Sequence, residues 1–160
     1  MKQTLKKAAR VKSQSTHYMN VDLDIFSHVS LRGLVDALGD EVFVLYIGGK
    51  GRRHEAHVEL ASSHMGMTAD RTIIGLAGLV KRLSPRFRKV WHSAKSREFN
   101  VGIEAGLEPH SYEVRLHRRT VDAIAEVGGT LVVTVYAAVL EETGVPRIRQ
   151  VPAAGKTPRS

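Results

Sequence analysis

The stretch SREFNVGIEAGLEPHSYEVRLHRRT, residues 96–120, alternates apolar and polar residues on both sides of a glycine-containing segment. Its two apolar runs are Phe99, Val101 and Ile103, then Tyr112, Val114 and Leu116. Alternation with a period of two is typical of strands that bury one face. The stretch therefore predicts a β-hairpin that turns between Gly106 and Ser111 and has one polar face.

The flanking sequence supplies the other strands. Residues 18–25 and residues 52–60 show the same alternation, so each predicts a half-buried strand. The segments EVFVLYIGG, residues 41–49, and TLVVTVYAAVL, residues 130–140, are apolar on both faces. Strands of that kind are typical of the centre of a sheet, and we expect both segments there.

Helices separate these strands. Apolar residues recur at helical spacing in residues 30–38, 68–83, 85–97 and 120–127, and Ser84 followed by Pro85 is a typical helix start. The order of the elements predicts an α+β fold. We expect a roughly six-stranded, mostly antiparallel sheet with three to four helices mainly on one face.

The formal charge of +8 belongs to the ends of the 160-residue chain. Residues 1–13 carry five Lys or Arg and no acid, and residues 147–160 carry four and no acid, whereas residues 14–146 sum to −1. The sequence predicts a single α+β domain at 17–146 between two basic, disordered tails, 1–16 and 147–160. With no cysteine, no apolar run long enough to cross a membrane and no secretory signal, the sequence predicts a cytoplasmic protein with no membrane partner.

A set of polar residues is predicted to point away from the core on the second face of the sheet: Asp22, Asp24, His57, Glu59, Asn100, Glu104 and His117. Clustered carboxylates bind divalent cations or act as an acid–base pair, but a one-sided antiparallel sheet also exposes polar residues to water. The sequence does not fix the strand order, so both interpretations stay open. We expect no metal site, no catalytic residue and no cofactor.

A second candidate surface lies in KRLSPRFRKVWHSAKSR, residues 81–97, which carries seven bases and no acid. The spacing of Phe87 and Trp91 places both rings on the core side of a helix. The basic residues left exposed are Arg86, Arg88, Lys89, His92 and Lys95. They predict contact either with an anionic partner such as nucleic acid or with acids elsewhere in the domain.

Several catalytic and nucleotide-binding motifs are excluded. The cluster GGKGRR, residues 48–53, lies between two strands, whereas a phosphate-binding loop joins a strand to a helix. The sequence contains neither a Gly-x-Ser-x-Gly elbow nor a His-Glu-x-x-His pair. The cluster GGKGRR therefore predicts a turn.

The segment REFNVGIEAG, residues 97–106, and the following strand, helix and strand that ends VTVYA resemble the C-terminal part of an uncharacterised family of small bacterial proteins, a domain of unknown function. The resemblance implies no activity and no catalytic residues. The sequence predicts a small cytoplasmic binding or interaction module with a protein partner and an oligomeric state that it does not specify. The alternatives are a nucleic-acid or other polyanion binder that uses helix 85–97 and the tails, and a carboxylate-dependent enzyme on the polar sheet face.

Overall fold

The computed structural model describes residues 15–137, except for the side chain of His64. Apart from Ser15 and Thr16, both predicted tails lie outside these residues, as does the end of the predicted domain, residues 138–146. The elements in chain order are β1 (His17–Ser27), α1 (Arg32–Leu38), a 3₁₀ helix (Gly39–Glu41), β2 (Val42–Lys50), β3 (Arg53–Leu60), a 3₁₀ helix (Ala61–Met65), α2 (Ala69–Arg82), α3 (Pro85–Ser93), β4 (Ser96–Glu104), α4 (Arg118–Glu126) and β5 (Thr130–Tyr136).

The strands form one sheet in the order β2-β3-β1-β4-β5. β1 lies at the centre and runs antiparallel to both β3 and β4, and β2 runs antiparallel to β3. β5 is parallel to β4, because α4 carries the chain back to the other end of the sheet. The α+β class and the mostly antiparallel sheet are confirmed.

The second half of the predicted hairpin is wrong. Residues 105–117 connect β4 to α4 without forming a strand, so the described sheet has five strands rather than six. Val114 and Leu116 nevertheless pack against the core, whereas Glu113 and Arg115 are exposed. This one-sided burial of an extended connection produces the alternation that predicts a strand.

The two strands that are apolar on both faces lie at the edges of the sheet, not at its centre as predicted. Most of their apolar side chains are about half exposed: Phe43 is 48% exposed, Leu45 52% and Val133 55%. The central position belongs to β1, in which Val21, Leu23 and Ile25 are fully buried on one face. The apolar content of a strand therefore does not report its place in this sheet.

The four α-helices within residues 15–137 all pack on one face of the sheet. Their apolar residues, among them Ile73 and Leu76 of α2 and Ile124 of α4, share one core with Leu23 of β1 and Phe99 of β4. The prediction of helices on one face is thus confirmed, and the opposite face carries no helix from residues 15–137. None of the described helices is long and apolar enough to cross a membrane.

The ends of α3 matter for the predicted basic surface. The helix begins at Pro85, as predicted, but it ends at Ser93 rather than at residue 97, since β4 begins at Ser96. Within the helix Trp91 is fully buried, and its indole Nε1 donates a hydrogen bond to the backbone oxygen of Val127 at 2.7 Å. Trp91 thereby ties α3 to the end of α4.

Candidate functional site

The strand order brings together residues that are far apart in the sequence. In the register of the sheet Asp22 of β1 lies between Glu59 of β3 and Asn100 of β4. Two positions further along β1, Asp24 lies opposite His57. Because residues opposite each other in a sheet share a face, these five predicted site residues are neighbours on the face without helices.

The side chain of Asn20 joins two of the carboxylates. Its Nδ2 donates hydrogen bonds to Asp22 Oδ1 at 2.9 Å and to Glu59 Oε1 at 2.6 Å. A single amide therefore holds two acidic groups side by side. Glu59 is only 7% exposed, so these bonds replace the water that the carboxylate loses on burial.

A second chain of hydrogen bonds is centred on Asp24, which is 8% exposed. His57 Nδ1 lies 2.6 Å from Asp24 Oδ1, and Asn100 Nδ2 donates to Asp24 Oδ2 at 3.2 Å. The hydroxyl group of Thr134 in β5 in turn donates to Asn100 Oδ1 at 2.7 Å. Since a carboxylate only accepts, His57 Nδ1 is the donor and its Nε2 is left for other contacts.

The electrostatics of the cluster single out Asp22. Burial, together with the nearby charges of Glu59 and Asp24, raises the pKa of Asp22 to about 6, against the opposing influence of His57. A carboxyl group of this kind exchanges its proton near neutral pH. The face therefore contains an acid that changes its charge close to the physiological range.

Aromatic rings border this cluster on one side. The rings of Phe26 and Tyr46 each lie 5.8 Å from the His57 ring, measured between centroids. The contact with Tyr46 depends on a bulge in β2 at Leu45, which shifts the register so that Tyr46 rather than Leu45 faces His57. The His57 imidazole is thus held by its hydrogen bond with the Asp24 carboxylate and by contacts with two aromatic rings.

Glu104 shares the face but lies apart from the cluster, at the other end of β4, where its Oε2 is 3.5 Å from His17 Nε2. His117 is not on the sheet, contrary to the prediction. It precedes α4, and its ring Nδ1 and backbone N–H both bond to the carboxylate of Asp70 in α2. The misplacement follows from the absence of the predicted sixth strand in residues 105–117.

Within residues 15–137 the helix-free face is mainly acidic, and its bases Lys50 and Arg53 lie at the end next to the β2–β3 turn. Six carboxylates point from this face, and we call this surface the acidic face: Asp22, Asp24, Glu55, Glu59, Glu98 and Glu104. Within residues 15–137 every salt bridge made by a Lys or Arg involves a carboxylate outside this set. Within the described chain, the pairs that these six carboxylates form are with the histidines His17 and His57.

The predicted basic surface is dispersed in the structure. Arg88 Nη2 donates to the backbone oxygens of Lys81 and Leu83 at 3.1 Å, so Arg88 satisfies the end of α2. Arg86 lies over the Phe87 ring at 5.4 Å. Of the five predicted binding residues, four are exposed along α3, namely Arg86, Arg88, Lys89 and His92, and Lys95 lies beyond its end.

Acids elsewhere in the domain neutralise part of the remaining basic run. Lys81 pairs with Glu126 of α4, and Arg82 pairs with Glu41 at 2.6 Å. Arg97 donates to three backbone oxygens around the end of α3 and to that of Gly128 after α4, with distances between 2.9 and 3.4 Å. Most of the run therefore stabilises helix ends and helix contacts.

Sequence reasoning missed four residues that complete the cluster on the acidic face: Asn20, Phe26, Tyr46 and Thr134. Asn20 and Phe26 lie at the same parity as Asp22 and Asp24, so the alternation in β1 carried a signal for both. The positions of Tyr46 and Thr134 depend on the bulge in β2 and on the parallel pairing of β5, which no local pattern encodes.

No group of three or more His, Asp or Glu side chains within residues 15–137 has the geometry to hold a metal ion. The acidic oxygens instead bond to Asn20, His57 and Asn100. The chemistry that the face offers is hydrogen bonding, attraction of positive charge and proton exchange at Asp22.

Comparison with known proteins gives no match: no family model, no curated protein and no solved structure matches the chain. The resemblance of residues 97–137 to an uncharacterised bacterial family therefore stays a prediction. Any assignment of function rests on the residues of the site.

Proposed function

We propose that the protein is a binding module and that its acidic face binds a basic segment of a partner protein. One observation carries the proposal. Six carboxylates share the helix-free face, and no Lys or Arg within residues 15–137 forms a salt bridge with any of them. Uncompensated charge of one sign on one face attracts a partner of the opposite sign.

The size of the acidic face suits an extended peptide better than a small cation. The carboxylates occupy three adjacent strands and run from Glu104 at one end of β4 to Glu98 near the other. With strands about 4.8 Å apart and residues about 3.3 Å apart along a strand, the patch measures roughly 10 by 20 Å. Lys and Arg side chains of a peptide several residues long can reach different carboxylates across such a patch.

The buried and the more exposed carboxylates of the acidic face have different roles in this proposal. Asp24 and Glu59 are buried and hydrogen-bonded, so they fix the geometry. Glu55 and Glu98 are more exposed and have no Lys or Arg partner within residues 15–137, so they are the groups that meet a ligand. Aromatic rings at the border, such as that of Tyr46, favour the same basic side chains through cation–π contact.

Binding to a basic peptide is tested with the full-length protein and a 12-residue peptide rich in Lys and Arg, with a Gly/Ser peptide of equal length as the negative probe. Amide shifts in ¹⁵N NMR spectra should change in β1, β3 and β4. The variant Glu55→Gln/Glu98→Gln should weaken binding by roughly threefold to tenfold at low salt.

The matched control is Asp36→Asn/Asp40→Asn, which removes the same charge from exposed positions near α1. This variant should bind the peptide as the wild type does. Equal weakening in the two variants, or shifts confined to the helices, would show that net charge rather than the acidic face attracts the peptide.

A second candidate function is acid–base catalysis on the same face. The pair formed by Asp24 and His57 favours it, because the carboxylate orients the imidazole and leaves Nε2 to take up a proton. His57→Gln separates the two functions. It leaves the acidic charges in place, so peptide binding should persist, whereas a reaction that uses His57 as a base would stop.

A further inference from the structure

A cavity of about 600 Å³ opens at the end of the sheet where the β2–β3 turn meets the end of β1 and the start of β4. Three separate parts of the chain line it: residues 26–28, residues 52–55 and Lys95. The backbone N–H of Lys95 donates to the Phe26 oxygen at 2.7 Å, which fixes Lys95 beside the end of β1. We call this site the basic cavity.

Three permanent positive charges face the basic cavity, those of Arg52, Arg53 and Lys95. Within the described chain none of the three side chains makes a salt bridge or a side-chain hydrogen bond. Glu55 is the one carboxylate in the lining, and it lies 4.0 Å from His57 Nε2 instead. With three cations and one carboxylate in its lining, the cavity keeps a net positive charge, which favours a bound anion.

Two histidines complete the wall of the basic cavity. A ring nitrogen of His28 bonds to the backbone oxygen of Arg52 at 3.0 Å, and one of His54 bonds to that of Gly51 at 2.9 Å. Since a carbonyl only accepts, each ring nitrogen is a donor in its bond, and each ring is held in one orientation. Both rings therefore brace the turn that carries the arginines.

The β2–β3 turn is built to present these arginines. A Cβ atom on Gly49 would lie 2.4 Å from the Arg53 oxygen and 2.6 Å from His54 Cα, and Gly51 has a φ of +62°. Both positions thus need glycine for the chain to reverse this tightly. The cluster GGKGRR is a turn, as the sequence predicts, and the turn places two arginines next to each other at the cavity.

We propose that the basic cavity binds a small molecule that carries a phosphate group next to an apolar or aromatic group. Arginine forks match phosphate oxygens in paired hydrogen bonds, and Phe26 provides an apolar wall. The volume lies within the range of roughly 300–1,000 Å³ that is typical of small-molecule sites. A nucleic acid would need a longer row of basic side chains. Arg88, which would extend that row along α3, instead donates hydrogen bonds to backbone oxygens at the end of α2.

This site borders the acidic face and shares Phe26 and Glu55 with it, but the binding of a phosphate group does not depend on the binding of a basic peptide. Small-molecule binding is tested on the full-length protein with phenyl phosphate and inorganic phosphate as probes, by NMR and calorimetry. Phenyl phosphate should shift the amides of residues 26–28, 52–55 and 95 and should bind more tightly than inorganic phosphate.

The variant Arg52→Gln/Arg53→Gln/Lys95→Gln should weaken phenyl phosphate binding by roughly tenfold or more, since it removes charge-assisted hydrogen bonds. The control Arg71→Gln/Lys89→Gln/Arg119→Gln removes the same charge from exposed helix positions and should change binding less than about twofold. Equal loss in both variants would overturn the proposal, because it would reflect net charge alone.

Two further results decide between ligands. Phe26→Ala should reduce the preference for phenyl phosphate over inorganic phosphate, and an unchanged preference would remove the aromatic part of the proposal. Single-stranded DNA should not displace phenyl phosphate from residues 52–55. Displacement at a lower concentration than that of phenyl phosphate would identify the site as part of a nucleic-acid surface instead.

Discussion

Asp22 and Glu59 lie opposite each other in β1 and β3 and share the side-chain amide of Asn20 as a common hydrogen-bond donor. Two carboxyl groups at directly opposite positions of neighbouring strands repel each other when both are ionised. The folded chain responds by holding the proton on Asp22, whose pKa is raised to about 6 by burial and by Glu59 and Asp24. The pair therefore links the stability of the sheet to pH.

Asp22→Asn should stabilise the protein at pH 8 but not at pH 4. Between about pH 4 and pH 6 the folded chain keeps a proton on Asp22 that the unfolded chain has lost, so the stability contributed by this group falls as the pH rises. Asparagine keeps an oxygen for Asn20 and carries no charge. We expect the melting temperature to rise by about 2–4 °C at pH 8. Circular dichroism melts of both proteins from pH 4 to pH 8 measure the effect, and a gain that does not change with pH would contradict this explanation.

Asp70→Asn should have the opposite pH dependence. Although burial acts to raise the pKa of Asp70, the nearby Thr120 hydroxyl and two hydrogen bonds from His117 lower that pKa below the usual range. A lowered pKa stabilises the folded chain above the pKa of the unfolded state, and that contribution is lost as the pH falls through the folded value. The variant should therefore melt below the wild type at pH 7, with a difference that shrinks below about pH 4. Asp122→Asn, in an exposed pair with Arg118, should change the melting temperature little at either pH.

Two glycines of α2 should respond differently to replacement by alanine. A Cβ atom on Gly78 meets nothing closer than Arg82 Nη1 at 3.8 Å, so Gly78→Ala should stabilise the helix by about 0.5–1 kcal/mol. A Cβ atom on Gly75 would lie 2.7 Å from Leu60 Cδ2 in the core, so Gly75→Ala should gain less or destabilise the protein. Urea unfolding of the two variants measures the difference. A larger gain for Gly75→Ala would show that α2 does not pack this tightly on β3.

Trp91→Phe should destabilise the protein by about 1–3 kcal/mol, because it leaves the Val127 oxygen without its donor and opens space in the core. Trp91 is the only tryptophan, so the fluorescence of the wild type reports this contact and should shift to longer wavelength on unfolding. The control is Tyr136→Phe at the exposed edge strand β5, which should change the free energy of unfolding by less than about 0.5 kcal/mol. A similar cost for the two variants would argue against the buried hydrogen bond.

The sequence predicts the faces of β1, β3 and β4 correctly because one side of each strand is buried in the core, and burial imposes a period of two. It also predicts where α2 and α3 begin, since Thr68 and Pro85 act within a few residues of themselves. Strand faces and helix starts depend on residues that are close together in the sequence, so the sequence alone is enough to predict them.

The features that decide the site depend on pairing between distant residues. Val114 and Leu116 alternate as in a strand, but their pattern records burial and not the presence of a neighbouring strand to bond with. In the same way, the alternation in β1 places Asp22 on a face without showing that Glu59 lies beside it. Which strands are adjacent is settled by the packing of the whole chain, so the convergence of the carboxylates became visible only in the structure.

The central position of β1 has a consequence for synthesis on the ribosome. β1 can pair with β3 as soon as residue 60 has emerged, but its other edge waits for β4, which ends at Glu104. At 5–20 residues per second this delay is roughly 2–9 s, during which a bare strand edge invites pairing with another nascent chain. Asp22 and Asp24 place negative charges along that edge, and identical charges on a neighbouring chain would repel them. The same carboxylates that form the acidic face would then keep unfinished copies of the protein apart.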